Sequence, residues 1–145
     1  RYVLVKQGAD LHTSSLVQLL AARFMLDHDL EAHIARIRDV YRKRRDVMLA
    51  ALEEHFPEDI SFTRPAGGLF LWVELPEGMD ARELLECALE ERVAFVPGES
   101  FFPNGGHENT LRLNFSAMPA DRIAEGVRRL GQVLSSVTAD NLAAV

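Results

Sequence analysis

With a single cysteine, Cys87, the chain cannot close an internal disulfide, and nothing else in it calls for an oxidising compartment. Cys87 falls within the apolar pattern of residues 80–92 and is expected as a small core residue. No apolar run approaches the ~20 residues needed to cross a bilayer, and the N-terminus lacks the charged-then-apolar order of a secretory signal. A cytoplasmic protein without a membrane partner is the expectation. The histidines His12, His28, His33, His55 and His107 show no pair at metal-ligand spacing beside a carboxylate or cysteine, so no metal site is assigned. Ser14, Ser100 and Ser116 lack a Ser-His-Asp ordering, and Gly-x-Ser-x-Gly does not occur, which leaves hydrolase chemistry unsupported. Pro97-Gly98 and Gly105-Gly106 are not followed by Lys-Ser/Thr and open no helix, so they make no phosphate loop. They are expected to let the backbone turn between two strands and approach a ligand closely.

What is present is globular in character. The 145 residues suit one domain with a single core, and 48% of them are hydrophobic. The net charge of −6 is uneven: residues 1–55 hold nine basic against eight acidic side chains, and residues 56–145 hold seven against fourteen. That balance gives no footprint for nucleic acid. The basic run Arg42-Lys43-Arg44-Arg45 is flanked by Asp39 and Asp46 without interleaved aromatics, and it is expected as a solvated helix face.

Along the chain, Tyr2–Val5 is a short apolar piece, and Lys6–Ser14 reads as a loop ending in a helix cap at Thr13 or Ser14. His12 lies in that loop with Asp10 and Thr13, as a turn-stabilising residue or one facing a partner subunit. Leu16, Leu19, Leu20, Phe24 and Met25 recur at helical spacing to about His28. Asp29 caps a long second helix with Leu30, Ile34, Ile37, Val40, Tyr41, Met48 and Leu52 on one side, ending near His55 before Pro57. Residues 61–64 and 67–75 then form a hairpin-like pair of strands, the second apolar enough to be covered on both faces. Asp80 caps a helix through Leu84, Leu85, Ala88 and Leu89, Val93–Val96 and Thr110–Ser116 are strands, and Ile123, Val127, Leu130 and Leu134 line the inner side of a final helix. The order predicts an α/β sandwich in which a small mixed sheet carries helices on one face, followed by a fraying tail from Ser135.

In the strand Asn109-Thr-Leu-Arg-Leu-Asn-Phe-Ser116, an arginine at an inward position needs an anionic partner, because burying an unpaired guanidinium costs several kcal/mol as a rough figure. The partner of Arg112 is either a structural carboxylate such as Glu108 or Glu74, or the acid group of a small molecule. Gly67-Gly68 at a strand start either relieves crowding or opens room beside a ligand.

Taken together, Lys6–Ser14, Arg64-Pro-Ala-Gly-Gly-Leu-Phe-Leu-Trp72, Leu75-Pro-Glu-Gly78, Val93–Gly98 and Asn109–Ser116 stand in the order and spacing of the C-terminal part of class I/II aminotransferases of fold type I. The chain resembles most the 2-aminoadipate (LysN-like) and multi-substrate members, over about residues 1–134. The resemblance implies pyridoxal 5'-phosphate (PLP) in a full-length parent, where it serves as electron sink while a lysine in Ser-x-Ser-Lys-x-x-x-Pro-Gly-x-Arg moves the proton. The lysines here, Lys6 and Lys43, lack such surroundings, and Lys6-Gln7 corresponds to a stretch downstream of that lysine. No catalytic or cofactor-binding residue is therefore expected in this chain, no PLP is expected on it alone, and alone it is expected not to transaminate.

By resemblance, Arg112 grips the substrate α-carboxylate with a two-pronged contact, and Gly67 and Phe70 line the pocket. Residues 1–28 would be the end of the large domain and an interdomain segment, 29–137 the C-terminal small domain, and 138–145 a flexible tail. The missing N-terminal large domain, an amino acid or 2-oxo acid substrate and a second copy in a homodimer would be the partners. The start at Arg1 in place of Met fits an upstream segment. Two other identities stay open: the aminotransferase-like effector domain of a winged-helix transcription regulator, and a free-standing α/β binding or dimerisation module.

Overall fold

The computed structural model describes residues 1–143, and the side chains of residues 1–137. It divides into two compact units, Arg1–Arg38 and Asp39–Val145.

The first unit holds helices α1 (Tyr2–Ala9) and α2 (Ser15–Asp27) and the start of α3 (Leu30–His55). The stretch Lys6–Ala9, expected in a loop, is instead the last turn of α1, closed where the Asp10 N–H donates to the Lys6 carbonyl at 2.7 Å. The loop after it is tied by its own polar groups. Thr13 Oγ1 donates to Asp10 Oδ2 at 2.7 Å, and Gln18 Nε2 donates to the Thr13 carbonyl at 2.8 Å. Ser14 takes the N-cap position of α2 without a side-chain cap bond, whereas Asp29 Oδ1 accepts from the Ala32 N–H at 2.9 Å and caps α3. Neither α1 nor α2 buries a residue: the helical stripe Leu16, Leu19, Leu20, Phe24 and Met25 is 55–68% exposed.

The second unit is a four-stranded sheet, β1 (Ser61–Phe62), β2 (Phe70–Glu74), β3 (Val96–Pro97) and β4 (Thr110–Asn114), in the order β1-β2-β4-β3. Every neighbouring pair is antiparallel, which corrects the expected mixed sheet. The reason is topological: β2 and β3 point the same way but flank β4 on opposite sides, so the parallel relation never becomes a pairing. Leu71 faces Leu113 and Val73 faces Leu111 across the central pair, and all four are buried. On that face pack Met48, Ala51 and Leu52 of α3, Ala81, Leu84 and Ala88 of α4 (Ala81–Glu90), and Ile123, Val127, Leu130 and Leu134 of α5 (Ala120–Ala143). The α/β sandwich with helices on one face is what the structure shows. Asp80 caps α4 by accepting from the Arg82 N–H at 2.7 Å.

Several local expectations give way to geometry. β2 is not covered on both faces: Phe70 and Glu74 are exposed and Trp72 is half-buried, so the alternation is that of a one-sided sheet. Cys87 is exposed, because helical phase puts it outside the arc of Leu84 and Ala88. α5 continues to Ala143, past the expected break at Ser135, while the side chains of the expected flexible tail, 138–145, lie outside the described residues.

Candidate functional site

The face of the sheet turned away from the helices carries the candidate site. The β2–β4 register sets Trp72 opposite Arg112 and Phe70 opposite Asn114, and β3 sets Val96 on the other flank of Arg112. The guanidinium carbon of Arg112 lies 3.9 Å from the centroid of the Phe70 ring and 4.4 Å from that of Phe101. The cation is thus held between two phenyl rings, a contact worth about 0.5–2 kcal/mol at each ring. Its Nε is buried and has no hydrogen-bond partner. No carboxylate among the described residues pairs with it, so the structural alternatives Glu108 and Glu74 are not taken up. A cavity of about 220 Å³ opens beside it, lined by Phe70, Ala94, Phe95, Val96, Arg112 and Asn114.

The wall formed by Phe101 belongs to a 3-10 turn, Gly98–Phe101, whose fixtures are specific. A Cβ on Gly98 would lie 2.0 Å from Thr110 Oγ1 and 2.8 Å from Trp72 Cζ2, so only glycine lets the turn seat against β4. Here the close approach expected of Pro97-Gly98 is made to the chain's own strand. Glu99 Oε2 accepts from Arg82 Nε at 2.7 Å, and its other oxygen accepts from Arg82 Nη2. That fork holds the Glu99 carboxyl below its ordinary range. Phe102 stacks on His107 at 3.9 Å, and Trp72 meets Phe101 and Phe102 edge-on at 5.7 and 6.0 Å.

Two arginines of the basic run brace the strand ends, which corrects the reading of that run as a merely solvated face. Arg45 Nη1 donates to the carbonyls of Pro65 and Ala66, each at 3.2 Å, just before the glycines that lead into β2. Arg44 Nη1 donates to the Ser116 carbonyl, just after β4. Asn114 Oδ1 accepts from the N–H groups of Ser116 and Ala117 at 2.7 and 3.0 Å and fixes that same turn. Arg42 and Lys43 behave as expected: both are exposed, and Arg42 pairs with Asp39 at 2.5 Å on the surface.

Of the residues singled out in the sequence, Arg112 and Phe70 come together, while Gly67 lies in the exposed turn before β2, where a Cβ would meet nothing within 4 Å. Phe101, Trp72, Phe102, the Arg82–Glu99 fork and the Arg44/Arg45 braces escaped the sequence reading. Their partners are distant in the chain, and the only available signal was the density of glycine and phenylalanine around Gly98–Phe102. His12 is exposed and lies in the first unit.

The small α/β sandwich thus presents, from one of its two inner strands, an arginine that no carboxylate among the described residues pairs with. The family model for aminotransferase class I and II matches residues 3–130, and the chain belongs to that family. A 2-aminoadipate transaminase of Thermus thermophilus is 49% identical over 139 residues, a match covering 96% of this chain and 35% of that protein. The solved structure of a multiple substrate aminotransferase from Thermococcus profundus superposes with a TM-score of 0.87 at 42% identity, over 94% of this chain and 34% of that one. An HTH-type transcriptional regulator of Escherichia coli, YjiR, is 34% identical over 121 residues, 81% of this chain and 25% of that protein. The chain spans about a third of the length of the first two relatives.

The family is PLP-dependent. PLP takes a lysine amine at its aldehyde carbon, but Lys6 Nζ is engaged with the Asp10 carbonyl at 3.3 Å and the Asp10 carboxylate at 3.6 Å, and Lys43 is exposed on α3.

Proposed function

We propose that this chain is the C-terminal, substrate-carboxylate-binding part of a PLP-dependent amino-acid aminotransferase, which transfers the amino group between 2-amino acids and 2-oxo acids in the cytoplasm. The observation that carries the reading is Arg112: a guanidinium half-buried between Phe70 and Phe101, with a buried, partnerless Nε and no carboxylate of the described chain to neutralise it. A guanidinium drawn out of water without an anionic partner is costly, and an acid that pairs with its terminal nitrogens offsets that cost.

The geometry sets how the acid would bind. Both faces of the guanidinium are covered by rings and Nε is enclosed, so a carboxylate meets the edge formed by the two terminal nitrogens. That two-pronged contact fixes the direction of the substrate Cα as well as its charge. A lysine would supply the charge without the fork. Orientation of this kind lowers a barrier by several kcal/mol as an order of magnitude, and it is the share of catalysis this chain supplies. In this reading Gly67, with open space where a side chain would be, lines the substrate pocket together with residues that the parent supplies. On the same reading the residues that hold the cofactor come from the rest of the parent, and the chain alone would not transaminate. In the parent, residues 1–28 would end the large domain, residues 29–137 would form the small domain, and two copies would share their active sites.

A second reading has one observation in its favour. The matched portion of an HTH-type regulator is 34% identical to this chain, so the same domain could sit in the effector half of a winged-helix transcription regulator. An upstream Ser-x-Ser-Lys-x-x-x-Pro-Gly-x-Arg segment without a basic helix-turn-helix favours the enzyme, and a helix-turn-helix further upstream favours the regulator.

The test is Arg112→Ala in the full-length protein. The expected outcome is a fall in kcat/KM of roughly a hundredfold or more for 2-amino acid substrates, with the absorbance of bound PLP unchanged. Wild-type kinetics in the variant would refute the assignment.

A further inference from the structure

Of the two rings on Arg112, one is fixed by the sheet and the other is not. Phe70 lies in β2, paired with Asn114 of β4. Phe101 belongs to the 3-10 turn and is 44% exposed, so burial does not immobilise it. Its place depends on how the backbone of residues 98–109 is anchored, and both ends of that segment are tied to the start of α4. Near one end, Glu99 receives the two-pronged contact from Arg82, the second residue of α4, at 2.7 Å to Nε. At the other end, the Glu108 carbonyl accepts from the Ala81 N–H at 2.8 Å. The Arg82 backbone is itself locked by the Asp80 cap. The first turn of α4 is therefore the fixed point against which the segment carrying Phe101 and Phe102 closes.

We propose that Arg82 and Glu99 are positioning residues for the carboxylate clamp: their fork pins the Gly98–Phe101 turn to α4, and so holds the Phe101 ring on the face of Arg112. The inference rests on the reading of Arg112 as that clamp. Neither residue touches substrate; each acts through Phe101. Arg82→Lys keeps the charge but removes the second prong, and Glu99→Gln keeps the size but removes the charge. Either change lets the turn drift, and the guanidinium loses one of its two walls.

The experiment measures steady-state kinetics of the full-length protein with a 2-amino acid, for E99Q, R82K, the exchanged pair Arg82→Glu with Glu99→Arg, and R112K as reference. The expected result is a KM raised about twofold to fivefold in E99Q and R82K, the range an exposed ion pair supports, with kcat within about twofold of wild type. The exchanged pair recovers most of the KM, a result that loss of general stability would not give. Should E99Q fold poorly, R82Q breaks the same fork from the α4 side. Wild-type KM in E99Q and R82K beside a raised KM in R112K overturns the inference and leaves the clamp standing. Wild-type KM in all of them overturns the clamp reading and the inference together.

Discussion

Gly98 and Thr110 are in contact so close that the pair admits no side chain on the glycine: a Cβ there would stand 2.0 Å from the threonine Oγ1 and 2.9 Å from its Cβ. Thr110 cannot withdraw, because it is buried in β4 and its hydroxyl donates to the His107 carbonyl at 2.7 Å. Gly98→Ala should destabilise the fold by about 1–3 kcal/mol, the usual cost of overpacking, as read from chemical denaturation. Adding Thr110→Ala removes the nearer clash and should return part of that loss; no recovery in the double variant would show that the contact is not the cause.

Arg45 crosses from α3 to the carbonyls of Pro65 and Ala66, and it is largely buried while doing so. Replacing it with methionine keeps the stem and removes both donors. Stability should fall by about 1–3 kcal/mol, and amide hydrogen exchange should accelerate at Gly67–Leu69 while the protons of β4 stay protected. Uniform exchange across the sheet would contradict a local brace.

The Glu125 carboxyl is held down to about 2, first by its hydrogen bond from Arg128 and then by that from Arg129. Arg129 also reaches the Glu91 carbonyl at 3.2 Å, so the cluster ties α5 to the end of α4. The folded-state value lies below the ordinary carboxylate value of 4.5. The pair's contribution is therefore complete above that ordinary value and is lost as pH falls towards about 2. Glu125→Gln should flatten this part of the stability–pH curve and leave the slope above pH ~6 unchanged. An unaltered acid limb in the variant would refute the assignment.

The apolar stripes of α1 and α2 are exposed throughout, with Leu16, Leu19 and Leu20 each at least 60% accessible. Contiguous patches of this kind mark surfaces that meet another protein body. The chain on its own should bind a hydrophobic dye or self-associate, and Leu19→Glu with Phe24→Glu should weaken both. Monodisperse behaviour without dye binding would contradict the proposal that these helices normally meet a large domain.

How far the sequence spoke depended on the range of each interaction. Helical period found Ile123, Val127, Leu130 and Leu134, and all four are buried, because periodicity reports a face directly. Asp29 and Asp80 were readable as caps, since their bonds run to Ala32 and Arg82, two or three residues away. The arginine of β4 was visible from its strand, but it stands on the face turned away from the helices and not at the inward position expected. What surrounds it was not visible: Phe101 comes from a turn eleven residues earlier, and the braces from Arg44 and Arg45 span 72 and 20 residues. A basic run with acidic neighbours looks the same whether it is solvated or reaches across a sheet edge. The mixed sheet failed for a similar reason, since strand order is a property of the packed whole.

The central claim is that Arg112 recognises a carboxylate and not the substrate at large. The most direct measurement is the ratio of kcat/KM for a 2-amino acid to that for the corresponding amine lacking the carboxylate, in the full-length wild type and in Arg112→Ala. The account predicts a ratio of roughly a hundredfold or more in the wild type, collapsing towards unity in the variant because only the acid loses. The same ratio in both proteins would contradict it.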